Sequence, residues 1–159
     1  MTIIGIDPDN RLSGYGVVDV DQRKVIDAGS LSFVELLRVV ANLSHMSGGN
    51  LRVVIEAGWK NRGYWHIPTR CTPNMAASLG RSVGMNHQTG MLLCECVRDM
   101  GIEPEEVRPL RKCWKGTDGK ITREELSTIT GWDKRSNQDV RDAVLLAWTF
   151  SGLPMRIKA

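Results

Sequence analysis

The chain has 159 residues, of which 42% are hydrophobic and 25% charged, and its formal net charge is +3. These values are ordinary for one soluble globular domain, and no apolar run approaches the roughly 20 residues that a membrane span needs. We therefore expect a single domain over residues 1–159 and no membrane partner. The N-terminus lacks the basic segment of a secretory signal, which favours the cytoplasm. The cysteines have no zinc-binding spacing, and free thiols are expected in that compartment.

Three β-strands are predicted near the N-terminus. The run 2–8 is short and rich in isoleucine, 14–20 alternates around Tyr15 and two valines, and 24–32 supplies the third strand. The residues between them are of turn type, and the connections are short enough to form hairpins. The segment therefore predicts an antiparallel meander of neighbouring strands.

A helix and a fourth strand follow the meander. Apolar residues recur at helical spacing from Phe33 to Leu43, and residues 47–50 end the helix. Residues 51–55 are then almost entirely apolar, which is typical of a strand buried on both faces beside the first strand. Glu56 comes at the carboxyl end of this strand.

The second half of the chain predicts three helices and one further strand. A long helix is expected over about 74–100, a fifth strand over 105–110, a short helix near 122–130 and a final helix over about 137–152. The resulting order of elements is β-β-β-α-β-α-β-α-α. A meander of strands 1–3 followed by strands 4 and 5 indicates the RNase H-like α/β architecture, a mixed five-stranded sheet flanked by helices.

The connection between the fourth strand and the long helix combines aromatic and basic residues. It lacks periodicity and contains Trp59, Lys60, Arg62, Tyr64, Trp65 and Arg70. Aromatic rings can stack on bases while lysine and arginine bind phosphates, so the segment predicts a nucleic-acid contact. For Trp59 the alternative is a loop anchor buried against the body of the fold. A second basic stretch lies at 108–120.

Four carboxylates occupy positions where burial is costly unless a cation compensates for it. They are Asp7, Glu56, Asp139 and Asp142. The first two end apolar strands, and the other two begin the last helix near the face that Leu146 turns toward the core. If that helix crosses the sheet over the strand ends, the four groups converge on a small volume. Hard carboxylate oxygens suit Mg²⁺ or Mn²⁺.

Each of these acids also has an interpretation without a metal. Asp139 could be the far member of a capping box that begins at Ser136. Asp142 could pair with a neighbouring arginine, Asp7 could close a turn, and Glu56 could simply end its strand. The four together are harder to explain in this way.

Six motifs closely resemble those of the RuvC endonucleases. They are Ile4-Gly5-Ile6-Asp7-Pro8, Gly14-Tyr15-Gly16-Val17-Val18, Val54-Ile55-Glu56, Ser78-Leu79-Gly80-Arg81-Ser82-Val83-Gly84, Val107-Arg108-Pro109 and Asp139-Val140-Arg141-Asp142-Ala143. Together they extend over nearly the whole chain. The resemblance implies an RNase H-like homodimer that binds four-way (Holliday) DNA junctions and hydrolyses symmetric phosphodiesters with two metal ions per active site.

The resemblance also implies roles for individual residues. On the RuvC pattern the four carboxylates bind two Mg²⁺ or Mn²⁺ ions, with Asp7 as the bridging ligand. Basic residues that assist catalysis are expected after the fifth strand, where Lys112, Lys115, Lys120 and Arg123 are the candidates and the choice among them stays open. The predicted DNA contacts are Trp59, Lys60, Arg62, Tyr64, Trp65, Arg70, Arg81, Lys112, Lys115 and Lys120. Trp59 is the closest match to the aromatic residue with which the family unstacks bases.

Two departures from the family pattern bear on the site and the substrate. Asp9 stands where the family usually has a glycine, and it either adds charge beside the site or faces solvent in the turn. The loop after Glu56 is several residues longer than expected. It leaves open a nuclease that cuts other branched DNA, an RNA-processing relative of the YqgF type, or an inert nucleic-acid-binding module on the same fold.

A dimer is expected from the symmetry of a four-way junction. Two symmetric cuts are most simply made by a C2 dimer. The predicted interface is the glycine-bearing long helix, with Leu79, Val83, Met91 and Leu92 among its apolar positions. A core-only role for that stripe is the alternative.

Overall fold

The computed structural model describes residues 1–61 and 68–155. Its strands are β1 (Thr2–Asp7), β2 (Ser13–Asp19), β3 (Lys24–Leu31), β4 (Leu51–Glu56) and β5 (Glu105–Val107). Its helices are α1 (Phe33–Met46), α2 (Pro73–Asp99), α3 (Arg123–Thr130) and α4 (Gln138–Phe150), with short 3-10 helices at Gly58–Lys60 and Thr117–Gly119. The predicted order of strands and main helices is confirmed.

Within those ranges the strands form one mixed five-stranded sheet in the order β3-β2-β1-β4-β5. β1 pairs antiparallel with β2, and β2 with β3, which is the predicted meander. β4 and β5 extend the sheet in parallel, β4 beside β1 and β5 beside β4. β5 ends at Val107, earlier than predicted, because the nearby Pro109 has no N–H to donate to a ladder.

Helices cover both faces of the sheet because successive strand residues point to opposite sides. Ile3 and Val54 belong to the buried cluster that α3 and α4 complete, and Trp148 is its largest fully buried side chain. Ile4 and Val53 belong to the second cluster, with residues of α1 and α2. This arrangement confirms the predicted α/β fold with a mixed sheet between helices.

At two positions α4 lies so close to the sheet that only glycine fits beneath it. A Cβ at Gly5 would stand 2.4 Å from the carbonyl oxygen of Ala143, and one at Gly14 would stand 2.3 Å from that of Asp139. Both distances are far shorter than a van der Waals contact, so a side chain at either position would push the helix away. Gly14 thus fixes the N-terminal end of α4 over the sheet, and Gly5 fixes the middle of the helix.

α2 packs on the fold through its C-terminal part. Its buried residues are Gly90, Leu93, Cys94 and Val97. Met91 and Leu92 are 42% and 41% exposed, and Leu79 and Val83 are only half-buried, so a core-only role for this stripe is wrong. In the described ranges no helix combines the length and apolar character needed to cross a bilayer.

Candidate active site

Two of the predicted carboxylates lie side by side at one edge of the sheet. Asp7 is the last residue of β1 and Glu56 is the last residue of β4. The two strands are parallel neighbours, with Ile6 beside Ile55, so their carboxyl ends emerge at the same edge. Both acidic side chains are partly buried there.

The N-terminal end of α4 brings Asp139 to this edge. Asn137 caps the helix, because its Oδ1 accepts from the backbone N–H three residues later at 2.9 Å. Asp139 is therefore a first-turn residue, and the alternative of a capping box that begins at Ser136 is wrong. The backbone of Asp139 packs on Gly14, which is the partner of Asp7 in the sheet register.

Asp142 is held by a side chain one helical turn before it. Its Oδ1 accepts from Nε2 of Gln138 at 2.7 Å. The neighbouring Arg141 donates instead to the carbonyl oxygens of Ile121 and Ser136 and to Oε1 of Gln138, so it does not pair with Asp142. Sequence reasoning gave no role to Gln138, because its amide reaches Asp142 only through the helix register.

The four carboxylates act electrostatically on one another. Burial, followed by the charges of Glu56, Asp139 and Asp142, raises the pKa of Asp7 well above its usual value. Burial and then the charge of Asp142 raise the pKa of Glu56 to about 7. The pKa values of Asp139 and Asp142 are also raised, with burial as the largest cause. Partly buried carboxylates that repel one another favour a compensating cation.

The acids do not form a closed coordination cage. Among residues 1–61 and 68–155, no three or more carboxylate, histidine or cysteine side chains are placed to hold a metal ion directly. Like charges repel, which opposes a tighter arrangement of the acids by themselves. The donor set nevertheless fits a hard divalent cation, because it consists of carboxylate oxygens on two strand ends and one helix start.

Two lysines supply positive charge at the acids. Lys112 and Lys120 line a cavity of about 220 Å³ together with Asp7, Glu56 and Asp142. Against the effect of burial, the charge of Lys120 lowers the pKa of all four carboxylates, and that of Lys112 lowers the pKa of Glu56. Both lysines are among the four basic residues that the sequence offers for assisting catalysis.

A tightly folded loop positions Lys120. The backbone N–H of Trp114 donates to the carbonyl of Gly119 at 3.0 Å, and that of Gly116 donates to the carbonyl of Lys120 at 2.9 Å. A Cβ at Gly116 would stand 2.4 Å from the same Lys120 oxygen, so the loop can close only over a glycine. This packing decides which lysines of the stretch reach the acids.

The other two catalytic candidates of this stretch, Lys115 and Arg123, have hydrogen-bond partners outside the group of four acids. The backbone N–H of Lys115 donates to the Glu125 carboxylate at 3.2 Å. Nε of Arg123 donates to the carbonyl oxygen of Asp133 at 2.8 Å. Neither residue lines the acid cavity, so the structure does not bring Lys115 or Arg123 to the carboxylates.

A larger groove of about 1110 Å³ opens from the acids toward α2. It shares Asp7, Glu56 and Lys112 with the small cavity, and Leu79 and Val83 of α2 line its other side. The acids therefore lie where a long groove with a mixed apolar and polar lining reaches the edge of the sheet.

Trp59 forms part of the wall of this groove. Its ring packs on α2, where a Cβ at Gly90 would stand 2.4 Å from ring carbon Cζ3. The ring of His87 meets it edge to face, with 6.3 Å between centroids. Trp59 is half-buried, which is the anchor arrangement that the sequence left open. Its role in unstacking bases stays a prediction.

The remaining predicted DNA contacts have different surroundings. Nζ of Lys60 lies 3.2 Å from Oε2 of Glu106 and donates to the Glu106 carbonyl at 3.0 Å. Arg70, just before α2, and Arg81, within it, are exposed. The predictions outside the described residues are those for Arg62, Tyr64 and Trp65.

Comparisons of sequence lead to one group of proteins. No protein-family model matches the chain. The crossover junction endodeoxyribonuclease RuvC of Francisella philomiragia is 22% identical over 153 residues, which cover 92% of this chain and 85% of that protein. The protein of the same name from Acinetobacter baumannii is 32% identical over 84 residues, 52% of this chain and 46% of that protein.

Comparisons of structure lead to the same group. Thermus thermophilus RuvC superposes with a TM-score of 0.56 at 16% identity over 94% of this chain and 92% of that one. The same protein in complex with a Holliday junction substrate gives a TM-score of 0.55 at 16% identity, over 94% and 91% of the two chains. The resemblance to the RuvC endonucleases is thereby confirmed, and the chain has their RNase H-like fold.

Proposed function

We propose that this chain is a divalent-metal-dependent endonuclease that cuts four-way DNA junctions by hydrolysing phosphodiester bonds, with residues 1–159 as its nuclease domain. One observation carries the proposal. Asp7, Glu56 and Asp142 line one cavity with Lys112 and Lys120, and the backbone of Asp139 packs on Gly14, the sheet partner of Asp7. Such a combination suits a reaction in which the carboxylates bind a metal cation and the lysines bind the phosphate.

Asp7, Glu56, Asp139 and Asp142 are the residues that would hold the metal ions. Two Mg²⁺ or Mn²⁺ ions held there would supply an activated water for attack on the phosphorus and stabilise the leaving 3′ oxygen. The fit rests on the chemistry of the donors, since partly buried oxygen ligands with raised pKa values gain most from a nearby cation.

The other residues of the site position the acids and the phosphate. Lys120 and Lys112 place ammonium groups in the cavity with the acids, where they can stabilise negative charge that develops on the phosphate. Gln138 fixes one oxygen of Asp142 and leaves the other for a cation. Because Asp7 and Glu56 stand on paired strands, their separation is set by the sheet.

The groove beside α2 suits the DNA strand that leads to the cut. It begins at the acids and passes Arg111 and Lys112 on one side and α2 on the other. Basic side chains bind phosphates without regard to sequence, and the apolar wall at Leu79 and Val83 offers a surface for sugars and bases. Arg111 and Lys112 of the groove lining would bind a phosphate of the DNA strand beside the acids.

The choice of substrate draws on the relatives. Two sequence relatives carry the name crossover junction endodeoxyribonuclease RuvC, and one solved neighbour is a complex with a Holliday junction substrate. Symmetric cutting of a four-way junction requires two active sites related by a twofold axis, so we propose a homodimer. The exposed apolar stripe with Met91 and Leu92 on α2 is its proposed interface.

A cleavage assay on a panel of substrates tests this function. A mobile four-way junction, a fork, linear duplex DNA and an RNA–DNA hybrid are each incubated with the protein and Mg²⁺, and the products are mapped at nucleotide resolution. We expect paired symmetric cuts in the junction and little cleavage of the duplex. Preference for the fork would indicate a broader branched-DNA nuclease, preference for the hybrid would contradict the resolvase proposal, and binding without cleavage would favour an inert module.

A further inference from the structure

The side chain of Asn86 bonds the turn after Asp7 to α2, and Nδ2 of Asn10 also donates to Sδ of the neighbouring Met85 at 3.8 Å. Oδ1 of Asn86 accepts from the backbone N–H of Asn10 at 3.0 Å, and its Nδ2 donates to Oδ2 of Asp9 at 3.2 Å. Both ends of the amide are therefore used on the turn between β1 and β2. Asn86 lies one helical turn before Gly90, where the burial of α2 begins. It ties the exposed part of the helix to the strand that carries the first catalytic carboxylate.

The turn also holds Asp9 from within. Oδ1 of Asp9 accepts from the backbone N–H of Arg11 at 2.8 Å. The backbone N–H of Asp9 donates to Oγ of Ser13 at 3.1 Å, and that hydroxyl donates to the Asp9 carbonyl at 3.2 Å. One carboxylate oxygen is thus bonded within the turn and the other to Asn86. Asp9 is partly buried, and the alternative in which it merely faces solvent is wrong.

Asp9 lies next to the start of α4 although it does not line the acid cavity: it bonds to Ser13, and the following residue, Gly14, packs against the backbone of Asp139. After burial, Asp9 is the largest cause that raises the pKa of the Asp139 carboxyl. A fixed negative charge beside a ligand attracts a cation held by that ligand without any direct contact. Asp9 therefore adds attraction for a cation from outside the set of four ligands.

We propose that Asn86 and Asp9 are a positioning pair: Asn86 holds the Asp9 carboxylate beside Asp139, and the charge of Asp9 strengthens cation binding at the four acids. The pair rests on the proposed metal site and adds residues of this chain that the four-carboxylate pattern does not contain. It also explains why an amide, which donates to a carboxylate and accepts from a backbone N–H at once, occupies position 86.

Calcium binding measured by titration calorimetry at fixed pH and ionic strength tests the pair without relying on nuclease activity. We expect Asp9→Asn to weaken Ca²⁺ binding roughly three- to tenfold, because it removes one nearby charge. Asn86→Ala should weaken it by a smaller factor, since the charge remains but is no longer fixed. The double variant should bind no more weakly than Asp9→Asn alone, because the two residues act as one unit. Gln88→Ala, a change at an exposed neighbour on α2, is the matched control and should bind as the unaltered protein does.

A reversed pair separates the hydrogen bond from the charge. Asn86→Asp places two carboxylates against each other and should lower the Tm. Adding Asp9→Asn restores the hydrogen bond between positions 9 and 86, now with the donor at position 9, and should recover the Tm. Calcium affinity should stay below that of the unaltered protein, because the charge has moved away from Asp139. Full recovery of Ca²⁺ affinity by this reversed pair would overturn the proposal. Unchanged Ca²⁺ affinity in Asn86→Ala would also overturn it, as would a double variant whose loss of affinity equals the sum of the two single losses. If the unaltered protein binds no Ca²⁺, both the pair and the metal site fail. If it binds Ca²⁺ and any of these contradicting results is found, only the pair fails.

Discussion

The carbonyl oxygen of Asp139 lies 2.3 Å from the position that a Cβ on Gly14 would occupy. Gly14 is also the sheet partner of Asp7, so one glycine links the first strand carboxylate to the start of α4. The distance between the strand acids and the helix acids depends on this close approach.

Gly14→Ala is therefore expected to damage stability and the site together. The added methyl group must displace the backbone of α4, and overpacking of this kind costs roughly 1–3 kcal/mol. Thermal unfolding measures the loss of stability, and calcium titration should show weaker binding because Asp139 moves. Gly80→Ala is the matched control, since a Cβ there meets nothing within 4 Å. An alanine at position 14 that leaves both the Tm and calcium binding unchanged would contradict the role of the close approach.

Lys120 is expected to contribute more to catalysis than Lys115. Lys120→Ala removes the positive charge that acts on all four carboxylates, and kcat should fall on the order of 10²-fold, as when an electrostatic stabiliser of the transition state is removed. Lys115→Ala is the control, because the backbone of Lys115 bonds to Glu125 and the residue does not line the cavity. Single-turnover cleavage of a four-way junction at saturating protein separates this effect from binding. Equal loss in the two variants would argue against the assignment of Lys120.

Glu56→Gln is expected to stabilise the protein in the absence of divalent ions. Burial and then the charge of Asp142 raise the pKa of Glu56 to about 7 from the usual 4.5. Below pH 4.5 the Glu56 carboxyl is protonated in both the folded and the unfolded chain, so its burial as a charged group costs no stability. Between pH 4.5 and about 7 Glu56 loses its proton in the unfolded chain but keeps it in the folded chain, so the free energy of unfolding falls as the pH rises. Above about pH 7 the whole of this loss of stability is present.

The stabilisation should consequently depend on pH. In a chelating buffer at pH 8 the Tm of Glu56→Gln should exceed that of the unaltered protein by several degrees, and the difference should shrink toward pH 5. Added Mg²⁺ should raise the Tm of the unaltered protein more than that of the variant. A Tm difference that grows as the pH falls would have the wrong sign for a buried carboxylate of raised pKa.

Much of the fold could be predicted from the sequence because its signals are local. The alternating meander, the apolar run of β4 and the helical spacing of α1 each depend on neighbours within one element. Asp7 and Glu56 were placed together because parallel neighbours end at the same edge of a sheet. The predicted end of β5 is wrong because Arg108 and Leu110 continue the pattern past Val107, whereas Pro109 between them has no N–H for the ladder.

The surroundings of the acids could be predicted only in part. The choice among Lys112, Lys115 and Lys120 depends on a loop whose closure requires Gly116 to contact a carbonyl four residues later, and no periodicity encodes that contact. The packing of Trp59 on α2 likewise joins segments far apart in sequence. Such positions follow from tertiary packing, so the sequence could identify the residue types but not their contacts.

Lys60 is expected to act in stability rather than in DNA binding, because it pairs with Glu106. Lys60→Met should lower the Tm slightly and leave the salt dependence of junction binding unchanged. Lys112→Met should instead reduce the slope of log K against log salt by about 1, as expected for the loss of one phosphate contact. Binding to an uncleaved junction in Ca²⁺, measured over a range of salt concentrations, gives both slopes. A reduced slope for Lys60→Met with an unchanged slope for Lys112→Met would reverse the assignment.

Asp7→Asn tests the central claim most directly. The substitution preserves the size of the side chain and the strand end but removes one charge from a proposed metal ligand. Cleavage of a four-way junction in Mg²⁺ is measured beside the Tm and junction binding, with Asp27→Asn, a change at an acid of β3 that bonds to Tyr15, as the control. We predict that Asp7→Asn remains folded and binds the junction but loses cleavage by a factor on the order of 10³ or more. Cleavage of the junction by Asp7→Asn at the rate of the unaltered protein would contradict the metal site and the nuclease built on it.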